Sequence, residues 1–256
     1  MMRRRPGISR SAHRGFSLLL LLSATLFLLT WRAYRQMHLN RTLIAAIHDN
    51  DAAQVRSLLA QKADPNAQEL FYHQLFLDRI HGQETQITSA PPALIVALYQ
   101  YPDASQKAAN TAVIRTLLKA GADANVHYEY GITPLMRTVR SDKPELVRIL
   151  LESGADVQAK DTEGANALMQ AAGTGNVSLI SLLLDYGTDV NSKDNYGCNA
   201  LRFAILYRQV KSVKRLIERN IDINARDNAG LTALTIAKQQ PLPQIVSLLQ
   251  KAGAKE

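Results

Sequence analysis

The chain has 256 residues, 46% hydrophobic and 20% charged, an ordinary globular balance for one large domain or a solenoid with a tail. Its single cysteine, Cys198, excludes an intramolecular disulfide framework and a cysteine-rich metal site. The net charge of +8 is local: residues 1–35 hold seven arginines and no acid, leaving 23 basic against 22 acidic residues in 36–256, which argues against a basic nucleic-acid face.

The chain opens with a basic tail, 1–15, followed by FSLLLLLSATLFLLTW (16–31), which carries no charge. As a helix those residues rise roughly 24 Å, slightly short of a hydrocarbon core of roughly 30 Å. Gly15 and Ala33 extend the run, flanking arginines snorkel, and Trp31 and Tyr34 stand where an interfacial aromatic belt sits. The segment reads as a transmembrane signal-anchor helix over 16–35. A cleaved signal peptide requires a small-x-small site, which WRAYRQ does not offer, and a buried soluble helix fits poorly with the preceding arginines. Five arginines precede the span and three follow it soon after (Arg32, Arg35, Arg41), which places the N-terminus in the cytoplasm and the body outside. The reversed topology stays open.

Beyond the anchor the spacing predicts paired helices. RTLIAAIHDNDAAQVRSLLAQKADPNA (41–67) sets Leu43 and Leu58 fifteen apart and suits an N-terminal capping unit. Residues 68–89 form an insertion with the aromatic stretch LFYHQLF (70–76). Residues 90–130 hold two more helix patterns, APPALIVALYQ and TAVIRTLLKAGADANV, separated by about eight extra residues near YPDASQKAAN. Strict register then begins. GITPL at 131, GANAL at 164, GCNAL at 197 and GLTAL at 230 start units 131–163, 164–196, 197–229 and 230–256, each 33 residues after the last.

Local chemistry supports the pattern. Thr133, Asn166, Asn199 and Thr232 can cap a first helix, and Pro134 suits the first helical position. Leu135, Leu168, Leu201 and Leu234 take equivalent buried faces, Gly-Ala-Asp ends the second helix, and Asp161, Asp194 and Asp227 suit the following turn.

These residues resemble the ankyrin repeat family: Thr133-Pro134-Leu135, Leu150-Leu151, Gly154-Ala155-Asp156 and Asp189-Val190-Asn191 fill its signature places. Two departures recur. The family's His after Leu is replaced by Met136, Met169, Arg202 and Thr235, and Thr-Pro becomes Asn-Ala or Thr-Ala after the first regular unit. The resemblance implies a mainly α solenoid of about six helix-turn-helix units with short hairpin loops, outer units acting as caps. It also implies a binding module without cofactor.

The residues themselves offer no catalytic constellation. None of the six histidines forms His-Glu-x-x-His. AGTGN (172–176) falls at a helix–helix turn and lacks the Lys-Ser/Thr of a phosphate loop. His73, Asp78 and His81 stand close together in the insertion, so a metal-binding or enzymatic site at 68–90 remains the alternative of a different class.

By resemblance, a partner protein binds at hairpin tips and at the exposed face of the inner helices. Carried onto this chain, the candidates are Glu129, Tyr130, Ile132, Arg140, Thr162, Glu163, Asn195, Tyr196, Leu206 and Tyr207. Tyrosine suits such a surface because it buries area while keeping a polar tip; the other reading is that these rings pack on neighbouring repeats. The expectation is a monomeric, non-enzymatic scaffold displayed on a membrane, in an inner membrane with its repeats on the periplasmic side. A narrower version makes it an inhibitor or immunity-type protein that holds a secreted or periplasmic enzyme or toxin inactive.

Overall fold

A computed structural model describes residues 10–68, 91–99 and 107–255, with side chains from residue 25 onward. The described residues form helices joined by turns; their β pairing is confined to isolated bridges, such as Lys160 with Asn166 and Arg226 with Thr232.

The helices come in pairs. The first unit joins the end of α1 (Arg10–His48) to α2 (Ala52–Ala60), and the second joins α3 (Ala93–Tyr99) to α4 (Lys107–Lys119). Then follow α5 (Pro134–Arg140) with α6 (Pro144–Glu152), α7 (Ala167–Thr174) with α8 (Val177–Asp185), α9 (Ala200–Leu206) with α10 (Val210–Glu218), and α11 (Ala233–Gln239) with α12 (Pro243–Lys251). Each first helix packs on the next first helix, from α1 through α3, α5, α7 and α9 to α11, forming an inner layer. The outer layer runs behind it, with α2 on α4, α6 on α8, α8 on α10 and α10 on α12. One hydrophobic core passes between the layers, from Leu43 and Ile47 to Ile245 and Leu249. The repeating leucines Leu135, Leu168, Leu201 and Leu234 all lie in it. The extensive contact between α7 and α9 follows from Ala167, Ala171 and Ala172, whose small side chains let the backbones approach.

Helix starts are capped as their residue types dictate. Thr133, Asn166, Asn199 and Thr232 stand at the four regular N-caps, and their side chains accept the amide hydrogens of Met136, Met169, Arg202 and Thr235 at 3.3, 3.1, 3.3 and 3.3 Å. Asn-Ala and Thr-Ala therefore keep the cap and give up only the φ preset by proline. Second helices end in a left-handed residue, Gly154 at φ 86° and Gly187 at 89°, with Asn220 taking φ 60° in the fifth unit. AGTGN is a helix–helix turn: Gly175 ends α7 at φ 83°, and Asn176 caps α8 through Leu179 N at 3.0 Å.

A side-chain ladder ties the units together along the Gly-Ala-Asp loops. Asn66, Asn125, Gln158, Asn191 and Asn224 each accept the backbone N–H of a residue in the next loop: Asp123, Asp156, Asp189, Asp222 and Lys255. At the N-terminal end no earlier loop is available, and α1 supplies the missing groups. Asn40 Oδ1 accepts Asp64 N at 2.9 Å, and Gln36 Nε2 donates to Lys62 O at 3.0 Å. The first unit is thus capped by the helix that enters it.

Upstream, α1 leaves the stack. Leu43 and Ile47 are fully buried, whereas Leu26, Phe27, Leu28, Leu29, Trp31, Tyr34 and Met37 are all exposed. Among the described residues no helix is long and apolar enough to cross a membrane; residues 16–24 of the expected span lie outside those whose side chains are described. The insertion's Phe71, Tyr72, His73, Phe76, Asp78 and His81 also lie outside the described residues, and among the described ones no cluster of potential metal ligands occurs.

Candidate partner-binding face

Each regular hairpin is built on one aspartate. Asp161 Oδ1 accepts the N–H groups of Glu163 and Ala165, Asp194 those of Tyr196 and Cys198, and Asp227 those of Ala229 and Leu231. These bonds hold the turn open and push residues 162–163, 195–196 and 228–229 outward. The hairpins also join side by side: Thr162 N donates to Tyr130 O, Asn195 N to Glu163 O and Asn228 N to Tyr196 O, at 2.9 to 3.0 Å. Asn195 Nδ2 returns a bond to Thr162 O, and Asn228 Nδ2 one to Asn195 O. The tips thereby form a continuous, hydrogen-bonded row.

The third unit departs from this rule. Tyr128 stands where the later hairpins have aspartate, so the turn loses its side-chain acceptor. It closes instead through a reciprocal pair, Tyr128 N to Ile132 O at 3.0 Å and Ile132 N to Tyr128 O at 2.9 Å. That tighter turn forces Tyr130 to φ 59°, a left-handed backbone that costs a residue with a Cβ roughly 1–2 kcal/mol. Tyr130 is also 78% exposed. The ring of Tyr130 therefore gains no burial from folding to set against that strain.

The other candidates divide by environment. Tyr196 and Leu206 are 61% and 55% exposed, and Arg140, Thr162, Glu163 and Asn195 are also open to solvent. Tyr207 is exposed on one side only in effect: a Cβ on Gly173 would lie 2.9 Å from its ring, so the ring rests on the bare backbone of the preceding inner helix. Here packing and presentation act together, since the contact fixes the ring and leaves the other face open. Ile132 turns inward and packs on the core, and Glu129 is half-buried, accepting the Tyr128 hydroxyl at 3.0 Å. The face therefore concentrates on Tyr130, Tyr196, Leu206 and Tyr207, with Arg140 and Glu163 among them.

Two members escaped sequence reasoning. Tyr99, 48% exposed, occupies the position of Arg140 and Leu206 in the second unit, and Arg137 lies one turn before Arg140 with its guanidinium 4.0 Å from the Tyr99 ring centroid. The insertion near YPDASQKAAN hid the register of Tyr99; aligning Leu94 with Leu135 recovers it.

Two departures from the repeat pattern gain a physical role. Arg202 ion-pairs with Asp227 Oδ2 at 3.4 Å, so that carboxylate serves its own hairpin through one oxygen and the preceding helix through the other. Cys198 sits just below the tip of its hairpin; burial first, and then the Asp194 carboxylate, raise its thiol above the ordinary range, which keeps it protonated and poorly nucleophilic near neutrality.

This architecture defines a helical-repeat solenoid with a row of hairpin tips along one edge of its inner layer, a class built for binding other proteins. The ankyrin-repeat model matches three overlapping stretches, residues 42–161, 101–194 and 154–227, and the chain belongs to the ankyrin repeat family. Ankyrin repeats are protein–protein interaction modules. Among solved structures, the chain is similar to an ankyrin repeat domain from Acinetobacter baumannii AYE, with 26% identity over 84% of this chain and 98% of that one, and a TM-score of 0.67. No curated protein matches the chain.

Proposed function

We propose that this protein is a non-enzymatic scaffold, displayed on a membrane, that binds a partner protein through its hairpin tips and inner helices. The observation that carries the binding part is the set of Tyr130, Tyr196, Leu206 and Tyr207, large side chains left 55% or more exposed along one face. Interfaces favour tyrosine at their energetic centres because it buries area at low entropic cost. The strain at Tyr130 supports the same reading, because its ring is left exposed and gains no burial to offset it.

Membrane display rests on the uncharged run at 16–31 and on the described part of α1. From Leu26 to Leu29 four successive apolar side chains are exposed all round the helix, an arrangement that water disfavours and lipid accepts. The arginine distribution supports an extracytoplasmic stack, in bacteria the periplasmic side of the inner membrane.

Site-specific photocrosslinking in cells tests the binding face. A photoreactive residue at Tyr196 is expected to give discrete protein adducts, and one at Glu152 on an outer helix none. Equal adducts at both positions, or none at Tyr196, would defeat the assignment. Reporter fusions at the C-terminus test the topology: an export-dependent reporter is expected to be active and a cytoplasm-dependent one dark. The opposite pattern would place the repeats inside.

A further inference from the structure

Arg137 is held in the stack by an aromatic ring, not by an acid. Arg202, Arg215 and Arg219 each have a carboxylate, from Asp227, Glu218 and Asp185. Arg137, half-buried as a residue, pairs with no carboxylate among the described residues, and its buried Nε has no hydrogen-bond partner. Its guanidinium lies over the Tyr99 ring, 4.0 Å from the centroid. The ring holds the fork of N–H groups flat and oriented, so little conformational freedom is lost when an acceptor arrives.

The neighbouring inner helix, α7, does not add to this site. Gln170, 33 residues on and at the same place in α7, has its unpaired Oε1 buried out of reach of a partner. The next helix, α9, presents Leu206 at 55% exposure. The face therefore offers an unpaired cation on α5 and, two inner helices away, an apolar anchor.

We propose that Arg137, stacked on Tyr99, is a carboxylate subsite, and that the partner presents an extended segment whose Asp or Glu pairs with it. This rests on the binding-face reading given above. Adjacent helices lie about 8–10 Å apart and an extended chain advances about 3.3 Å per residue, so α5 to α9 corresponds to about five or six residues. The segment carries an acidic residue and, five or six positions away, an aliphatic or aromatic one for Leu206. A free anion is poorly served here, because Tyr99 and Arg140 are open to water and enclose nothing. The bidentate fork is used to advantage when the carboxylate arrives on a chain held at a second point.

A random peptide display library, panned on the full-length protein in lipid nanodiscs, tests this. Enriched peptides are expected to share an acidic residue and an apolar one five or six apart. For the best synthetic peptide, changing its acid to the amide should weaken binding tenfold or more to the wild type and less than twofold to Arg137→Gln. Arg137→Lys should recover part of the loss, and Tyr99→Leu should weaken binding while leaving the cooperative melt in place. If the peptides show no acidic requirement, or if Arg137→Gln discriminates acid from amide as the wild type does, the subsite is overturned while a loss on Tyr196→Ala and Tyr207→Ala still upholds the face. Binding indifferent to all of these variants overturns both.

Discussion

Tyr130 carries two roles of opposite sign. As a left-handed residue it destabilises the fold, and as an exposed ring at a hairpin tip it offers contact area. Tyr130→Gly is therefore expected to raise stability by about 1 kcal/mol, read as a higher urea midpoint with an unchanged m-value, while weakening partner capture. Tyr128→Asp should act in the same direction on stability by restoring the acceptor that the later hairpins possess. Cys198 gives a pH-dependent test. Its thiol is raised by burial and by Asp194, so alkylation at pH 8 should run slower than for a free cysteine and speed up on unfolding in urea. The linkage has a definite sign: the unfolded thiol ionises first, so this group lowers stability only as pH rises through and above the ordinary thiol value, and is silent at neutral pH. These residue-level features were only partly legible in the sequence. The hairpin aspartates could be read from their spacing, but the meaning of Tyr128 in an aspartate's place depended on seeing the turn close through the backbone instead.

At the scale of the element, the caps were the most legible feature, because an Asn or Thr before an apolar run satisfies a need that every helix has. The structure adds a distinction among them. Asn199 uses its amide, Nδ2 reaching Asp222 O at 3.4 Å, whereas the Nδ2 of the fully buried Asn166 has no partner. Asn166→Thr keeps an accepting oxygen and removes a buried unpaired donor, so it should be neutral or stabilising, by up to about 1 kcal/mol. Asn199→Thr should be less favourable, and Asn166→Ala should cost about 1–2 kcal/mol; thermal melts of the three variants order them. The ladder from Asn40 to Asn224 was not legible as hydrogen bonds. The sequence shows a recurring Asn or Gln after Gly-Ala-Asp, but not that its oxygen points to the next unit rather than to its own loop. The place of Tyr99 on the candidate face was hidden because inserted residues broke the 33-residue count on which that face was projected.

At the scale of the molecule, each unit buries its core only against its neighbours, so stability is shared along the stack. Deleting residues 164–196, which removes α7 and α8 between four packed helices, keeps the 33-residue register but loses the close α7–α9 seam. Deleting 230–255 removes only an end. The first deletion is expected to lower the melting temperature more than the second, and the reverse order would refute a core continuous through the middle. Sequence reasoning treated the apolar helix and the first repeat as separate objects, one at 16–35 and one from residue 41. They are a single 39-residue helix, and Gln36 and Asn40 on its surface do the work of a preceding loop.

That continuity leaves no swivel. A load applied at the tips would not swing the repeats on a tether; it would pass directly into the N-terminal part of α1. The bonds from Gln36 and Asn40 to the first loop are where such a torque would be felt first. The stack is geared to that helix, so the direction in which α1 leaves the repeats is set within the fold.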